Sequence, residues 1–277
     1  MTDAAATNPS GAVNANANAD RYVEACRAGK PIDWHPVIDA HAHLGQNHNF
    51  LILDSSAEGM IRAKDRIGID RTAVSSIPGT IGGWSKGNDV VIDAVQRFPD
   101  RFIGYITVNG FDPGSVLAEC ERCWAGGCRA LKLHTAQGFH YDRPELAPAF
   151  EFANDKRCPI LLHVWGWELD HIEPLLGRYP HADFILAHAG SDMKERYAEV
   201  GNAYPNAWLE TCFSKCPKGM IEYFISEGLE DCTLWGSDAD FYAASHQVGR
   251  VLMGEMTPAV KKKLLYDNAA KLFGVDR

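Results

Sequence analysis

The sequence predicts an α/β fold, a single-domain (β/α)8 TIM barrel, from three observations. A unit made of a short aliphatic run, a turn and an amphipathic stretch recurs along the chain. Eight such runs can be counted, and residues able to do chemistry gather at their C-terminal ends. An open doubly wound sheet alternates strands and helices in the same way, so the third observation is the one that selects the barrel. At 277 residues, 46% of them hydrophobic, the chain can fill one large core, and barrels of this size stay undivided.

Taken in order, residues 1–20 (MTDAAATNPSGAVNANANAD) hold Val13 as their one branched aliphatic residue and cannot bury enough surface to offset chain entropy. They are expected to be a disordered tail, leaving 21–277 as the barrel. A short helix is expected over RYVEACRAGKPID. The strand candidates are VIDAHAH (37–43), RTAVSSI (71–77), FIGYITV (102–108), RALKLHT (129–135), PILLHVW (159–165), DFILAHA (183–189), AWLETCF (207–213) and CTLWGSD (232–238). Their near-continuous apolar character suits strands covered on both faces, and starts spaced roughly 25 to 35 residues apart leave room for a crossover helix each time. Helical periodicity fills the gaps, in SAEGMIRAKDRIG, NDVVIDAVQRF, ELAPAFEFANDK and ELDHIEPLLGRYP. The last segment, TPAVKKKLLYDNAAKLFG, reads as one helix with Thr257 as N-cap, Pro258 at its first position and Gly274 past its end; Lys261, Lys262 and Lys263 then lie on a solvated face.

Composition narrows the partners. A formal charge of −9, with 27 basic residues scattered rather than striped, argues against nucleic acid. No run of about 18 apolar residues is present, so no membrane span is expected. Eight cysteines can mark a secreted protein, but no apolar segment follows a basic start and the chain is too large to need disulfide staples. The expectation is a soluble cytoplasmic protein acting on a small molecule. Cys120, Cys123 and Cys128 lack a second pair to complete a zinc knuckle and read as packing residues.

Side chains alternate across a strand, so His41 and His43 project from one face while Ala42 points the other way. A His-x-His pair closing an apolar strand is hard to read as packing and offers two imidazoles to one ion. His163 after PILL and His188 after FILA each set a polar ring among aliphatic residues, which is unfavourable unless an ion or a hydrogen-bond partner meets it. Asp238 closes LWGS, and a carboxylate joined to neutral imidazoles makes a site for zinc, iron or another divalent ion. Asp240, two residues on, is either a substitute ligand or a solvated loop carboxylate. Lys132 and His134 share a face at the end of the fourth strand. Trp84, Trp165 and Trp167 fall in the expected βα loops, where they would stack on a planar substrate or pack the rim.

The ordered set VIDAHAHLG, RALKLHT, ILLHVWG, FILAHAGS, LWGSDAD and LYDNAAKLFG, from about Val37 to Gly274, resembles the amidohydrolase superfamily. The branch it is most similar to is amidohydrolase 2, which includes aminocarboxymuconate semialdehyde decarboxylase. The resemblance implies that His41, His43, His163 and Asp238 hold one divalent metal, zinc before manganese or iron. It leaves His188 outside the coordination sphere, placed to orient or deprotonate a water or the substrate. It also implies a homodimer, as is common in the branch, although no stretch marks an interface. In other branches a carboxylated lysine on strand four bridges two ions. Lys132 is therefore such a bridge, a substrate contact together with His134, or half of a structural ion pair. The chain departs from the decarboxylase pattern at Leu44-Gly45, where many of those enzymes have a proline a few residues later, and no substrate-carboxylate arginine can be placed.

The leading reading is a metal-dependent hydrolase. Water activated by the ion attacks an amide, ester or lactone carbonyl, and Asp238 or His188 moves the proton with Lys132 assisting. His134, Trp84 and Trp165 would contact the substrate. A non-oxidative decarboxylase with the same ligands is the alternative, and a barrel kept only for binding is the non-catalytic one. Fold and ligands are common to the two enzymatic readings, so residue patterns scarcely separate them.

Overall fold

All eight runs form strands: β1 Ile38–Leu44, β2 Arg71–Ser76, β3 Phe102–Thr107, β4 Ala130–Leu133, β5 Pro159–His163, β6 Asp183–Ala187, β7 Ala207–Glu210 and β8 Thr233–Leu234. The computed structural model describes residues 20–47, 50–80, 83–135, 138, 140–213, 215 and 217–275. Residues 1–19 of the expected tail lie outside the described residues. Asp20 already belongs to the fold, because its carboxylate caps α1 (Arg21–Ala28) by accepting the Tyr22 N–H at 3.0 Å.

Neighbours in the sheet are neighbours in sequence, and every pairing is parallel. The sheet comes back on itself where Ala239, just after β8, forms a parallel bridge with Ala42 and Asp238 N–H donates to His41 O at 2.8 Å. Helices occupy the crossovers: α2 (Ala57–Asp65), the single turn α3 (Ile77–Thr80) with α4 (Trp84–Arg97), α5 (Pro113–Ala125), α6 (Ala147–Lys156), α7 (Leu169–Arg178), α8 (Lys194–Ala203) and α9 (Met220–Ser226). After β8 come α10 (Ala244–Leu252), α11 (Pro258–Lys262) and α12 (Asn268–Phe273). Among the described residues no helix is long and apolar enough to cross a membrane.

The two faces of the sheet pack separately. Outward residues such as Val74, Leu131, Leu162 and Leu186 meet the helices in one large cluster. Inward residues, among them Ile38, Ala73, Ile103, Leu161, Ile185 and Leu234, form a second cluster with Tyr266, Ala269 and Leu272 of the C-terminal segment. Ile38, Ala73 and Ile103 lie in the first half of their strands, Leu161 and Ile185 midway, and Leu234 ends the two-residue β8. The C-terminal segment packs against this inward cluster, and the histidines gather past it at the strand ends.

That segment differs from the single helix expected. Thr257 caps it, its hydroxyl accepting Val260 N–H at 3.3 Å, and Gly274 ends it in the left-handed region. Between them, Lys263–Asp267 form a π turn that separates α11 from α12. One extra residue per turn re-aims the chain, and Asn268 then donates to Glu230 O at 2.8 Å and Thr233 O at 2.7 Å beside β8. Nor is Lys261 on a solvated face. It is fully buried, its ammonium 2.5 Å from Asp20 and 2.7 Å from Leu252 O, because this turn of helix lies under α1 rather than facing water. Lys262 and Lys263 pair with Asp267 and with Glu230 and Asp231.

Candidate metal centre

β1 directs two histidines inward by means of a bulge. Asp39 pairs with Thr72 of β2 but Ala42 pairs with Val74, so β1 carries one extra residue across that interval. Ile38 and Ala40 face inward on one phase and His41 and His43 on the next, while Ala42 and Leu44 join the outer cluster. A buried network fixes the bulge. Asp39 Oδ1 accepts His41 N–H at 3.1 Å and Ser237 N–H at 2.9 Å. Lys64 of α2 is 2% exposed, pairs with Asp39 and donates to Ser237 Oγ at 2.8 Å. β1 is thereby tied to the segment that carries Asp238. Asp238 and His188 both occupy the left-handed region (φ 52 and 62). That conformation disfavours a non-glycine residue by on the order of 1–3 kcal/mol and clusters at functional sites.

His41 Nε2 lies 3.2 Å from His43 Nε2 and 3.7 Å from Asp238 Oδ1, and His43 Nε2 is 3.1 Å from the same oxygen. These separations fit one shared ion, since ligands at about 2.0–2.1 Å in a tetrahedron stand about 3.3 Å apart. Lys132 Nζ adds a fourth polar atom, 3.2 Å from His41 Nε2. Next to this cluster His188 Nε2 approaches His163 Nδ1 at 3.0 Å, and His163 stacks on His134 with ring centroids 3.9 Å apart. Three rings are held from behind through Nδ1: His41 by Glu210 Oε2 at 2.9 Å, His43 by Ser75 Oγ at 2.7 Å, and His188 by the Cys212 carbonyl at 2.8 Å. Trp165 packs edge-on against His163 at 5.1 Å, and Phe241 lies tilted against His43 at 5.0 Å.

Burial holds His41 far below its ordinary range, with the nearby Lys132 charge adding to the effect. Burial also lowers His43, against the opposing hydrogen bond and charge of Asp238, and it lowers His134, His163 and His188. Neutral imidazole is the form that binds metal. For Asp238 burial works against ionisation, yet the hydrogen bond from His43 and the charges of His188, His43 and Lys132 prevail and keep its carboxyl below the usual value. Lys132 is drawn down to about 8, mainly by burial. Glu210 is pushed up to about 8 by burial, against hydrogen bonds from Cys212; a cation at the cluster would favour its charged form.

Of the residues singled out from sequence, the structure brings His41, His43 and Asp238 together, with Lys132 touching His41. His163 stands beside this group, turned toward His188 and stacked on His134. Trp165 reaches the histidines. Trp84 opens α4 half-buried and, among the described residues, makes no ring contact with them, while Trp167 is 51% exposed. Asp240 is half-buried, its carboxyl raised to about 6 by burial, and it belongs to neither group of metal-capable side chains among the described residues. The same holds for Cys120, Cys123 and Cys128, which are buried in the outer cluster.

Sequence reasoning missed Ser75 and the pair Glu210 and Cys212. The signal was present in AWLETCF: two polar residues at i and i+2 closing an apolar strand, the same alternation that exposed His41 and His43. A separate open cavity of about 480 Å³ lies between the loops after β6 and β7, lined by Ser191, Met193, Met220 and Tyr223 among others, and does not include the histidine cluster.

Eight β/α units with histidine, lysine and aspartate side chains converging where the strands end are the architecture of a barrel enzyme. The amidohydrolase family profile matches residues 38–275, and the chain belongs to that family. Solved structures share the fold at low identity. The 2,6-dihydroxybenzoate decarboxylase from Rhizobium superposes with a TM-score of 0.69 at 17% identity, covering 87% of this chain and 99% of the other. The probable 2-pyrone-4,6-dicarboxylic acid hydrolase from Acinetobacter baumannii gives 0.70 at 16%, covering 86% and 99%. The 5-carboxyvanillate decarboxylase from Novosphingobium aromaticivorans, complexed with manganese and a nitrobenzoic acid, gives 0.65 at 20%, covering 78% and 80%.

Proposed function

We propose that the protein is a metal-dependent hydrolase of a small organic amide, ester or lactone, with one divalent ion held by His41, His43, His163 and Asp238. The observation that carries this reading is the convergence of His41 Nε2, His43 Nε2 and Asp238 Oδ1 at 3.1–3.7 Å. When bound, the ion polarises a carbonyl and lowers the pKa of a nearby water toward about 7. Zinc suits the nitrogen-rich set, and manganese, present in the Novosphingobium enzyme, is the second candidate. His188, held through Nδ1 by the Cys212 carbonyl and through Nε2 beside His163 Nδ1, orients the attacking water, with Asp238 as the first acceptor of the proton it sheds. Lys132 steadies negative charge growing on the substrate oxygen. His134 and Trp165 supply ring faces against the substrate.

One observation favours a carboxy-lyase on the same ligands: the barrels superposed above include decarboxylases of 2,6-dihydroxybenzoate and 5-carboxyvanillate. Lys132 or His188 would then deliver the proton to carbon as carbon dioxide leaves.

The deciding experiment is elemental analysis of protein purified without added metal or chelator, followed by paired assays for carbonyl hydrolysis and carbon dioxide release. About one ion per chain and a hydrolysis that chelation abolishes are expected. Carbon dioxide release without hydrolysis moves the assignment to the carboxy-lyase. No ion, with no gain of activity on adding metal, overturns both.

A further inference from the structure

We infer that strand β7 sets the proton positions of the histidine cluster, with Glu210 as the positioning residue for His41. The inference rests on the metal-site reading above. An imidazole that gives its Nε2 lone pair to an ion keeps its proton on Nδ1, and a buried N–H there needs an acceptor. For His41 the oxygen in place is Glu210 Oε2, at 2.9 Å, with both side chains 0% exposed. A carboxyl buried in a barrel is unfavourable, and an apolar residue would pack β7 at least as well, so its presence calls for a partner that needs it.

The surroundings are shaped around this pair. Glu210 Oε1 accepts Cys212 N–H at 2.7 Å, which fixes the carboxylate in the orientation that meets His41. Gly236, beyond β8, leaves the space: a Cβ there would lie 2.6 Å from His41 Cβ and 2.7 Å from Glu210 Oε1. Two residues along β7, the Cys212 carbonyl takes the Nδ1 proton of His188 at 2.8 Å. One strand thus orients both rings, one through a side-chain carboxyl oxygen and one through a backbone carbonyl.

His41, His188, Glu210 and Cys212 have ligand atoms within 4.8 Å of one another, the arrangement of a second metal position. Their hydrogen bonds, which run within the group, favour another role. The nitrogens involved are the Nδ1 atoms already facing the Glu210 carboxylate and the Cys212 carbonyl, so this layer holds protons behind the ion.

The test uses the full chain with Glu210→Leu and Glu210→Gln, loaded with zinc. Zinc affinity is read by competition with a chromophoric chelator, and the ring N–H signals of the histidines by nitrogen-15 NMR. Glu210→Leu should weaken zinc binding about 10- to 100-fold and abolish the protected Nδ1–H of His41, while Glu210→Gln, which keeps an oxygen acceptor, should recover part of both. Should the leucine variant fail to fold, the glutamine variant carries the same two readouts against wild type. Unchanged affinity with an unchanged His41 Nδ1–H overturns the inference. So does uptake of two zinc ions by wild type with one lost in Glu210→Leu, which would make Glu210 a ligand. If wild type takes up no zinc, the metal reading fails, and comparison of metal-free wild type with metal-free Glu210→Leu still decides: unchanged His41 ring-nitrogen signals overturn the inference, and a changed His41 tautomer or a lost protected ring N–H upholds it.

Discussion

The two ends of the barrel interior are built on different principles. Toward the C-terminal segment, Ile38, Ile103, Leu161, Ile185 and Leu234 interlock with Tyr266 and Leu272, and shape alone specifies the packing. Where the strands finish, His41, Lys132 and Glu210 are as buried as any leucine, and His43 and Asp238 nearly so, but hydrogen bonds and charge specify the arrangement. The first end can be altered only at the expense of stability. The second can be altered with loss of function while the barrel stands, which is the division of labour expected along the strands of such a fold.

The largest effect that would expose this division is His41→Ala. We expect the variant to lose its ion and its activity together while the circular dichroism spectrum of the barrel remains. Retention of the ion by the folded variant would show that the cluster at β1 is not the binding site. His163→Ala offers the sharper contrast. His163 stands apart from the three converging atoms, so its loss should lower metal content less than loss of His41 does, measured side by side at equal free zinc.

Lys64 braces the β1 bulge from the outer face, and its replacement tests stability and site together. Lys64→Met leaves Asp39 as an uncompensated buried carboxylate, so unfolding in urea should show a loss of about 3–5 kcal/mol. Since Asp39 also holds the β1 bulge and Ser237, zinc affinity should fall as well. A stability loss with unchanged zinc affinity would mean that the bulge keeps its form without the ion pair. Ile185→Ala is the matching change at the packed end: about 2–5 kcal/mol of stability lost, with zinc bound per folded chain unaltered.

The same division explains what could be read from the amino-acid sequence. The strands were legible because walls covered on both faces leave continuous apolar runs, and PILLH and DFILA need no tertiary context to be recognised. His41 and His43 were legible because they interrupt such a run at alternate positions. Glu210 was passed over because a glutamate after WL reads equally well as a strand end turning to solvent; only the closure of β8 onto β1 shows that it lies under His41. The bulge was not legible at all. It is a mismatch between the registers of two strands, Asp39 with Thr72 and Ala42 with Val74, and no single strand encodes it. Lys261 misled for a related reason: a basic run on a helix looks solvated until the Asp20 carboxylate and Leu252 carbonyl are found beside it.

The smallest change considered sits at the border of the two ends. Tyr105 belongs to the packed cluster, but its hydroxyl donates to Ala40 O at 2.7 Å, immediately before His41 at the bulge. Tyr105→Phe keeps the ring and removes one hydrogen bond to a buried carbonyl, so the stability lost should be about 1 kcal/mol. The informative readout is zinc affinity. If packing and site are separable along the strands, affinity stays at the wild-type value, because Asp39 and Lys64 still hold the bulge from the outer face. A drop in affinity would place the bulge under control of the inner packing, and the two ends would then be a single cooperative unit whose border lies deeper in the barrel than the bulge.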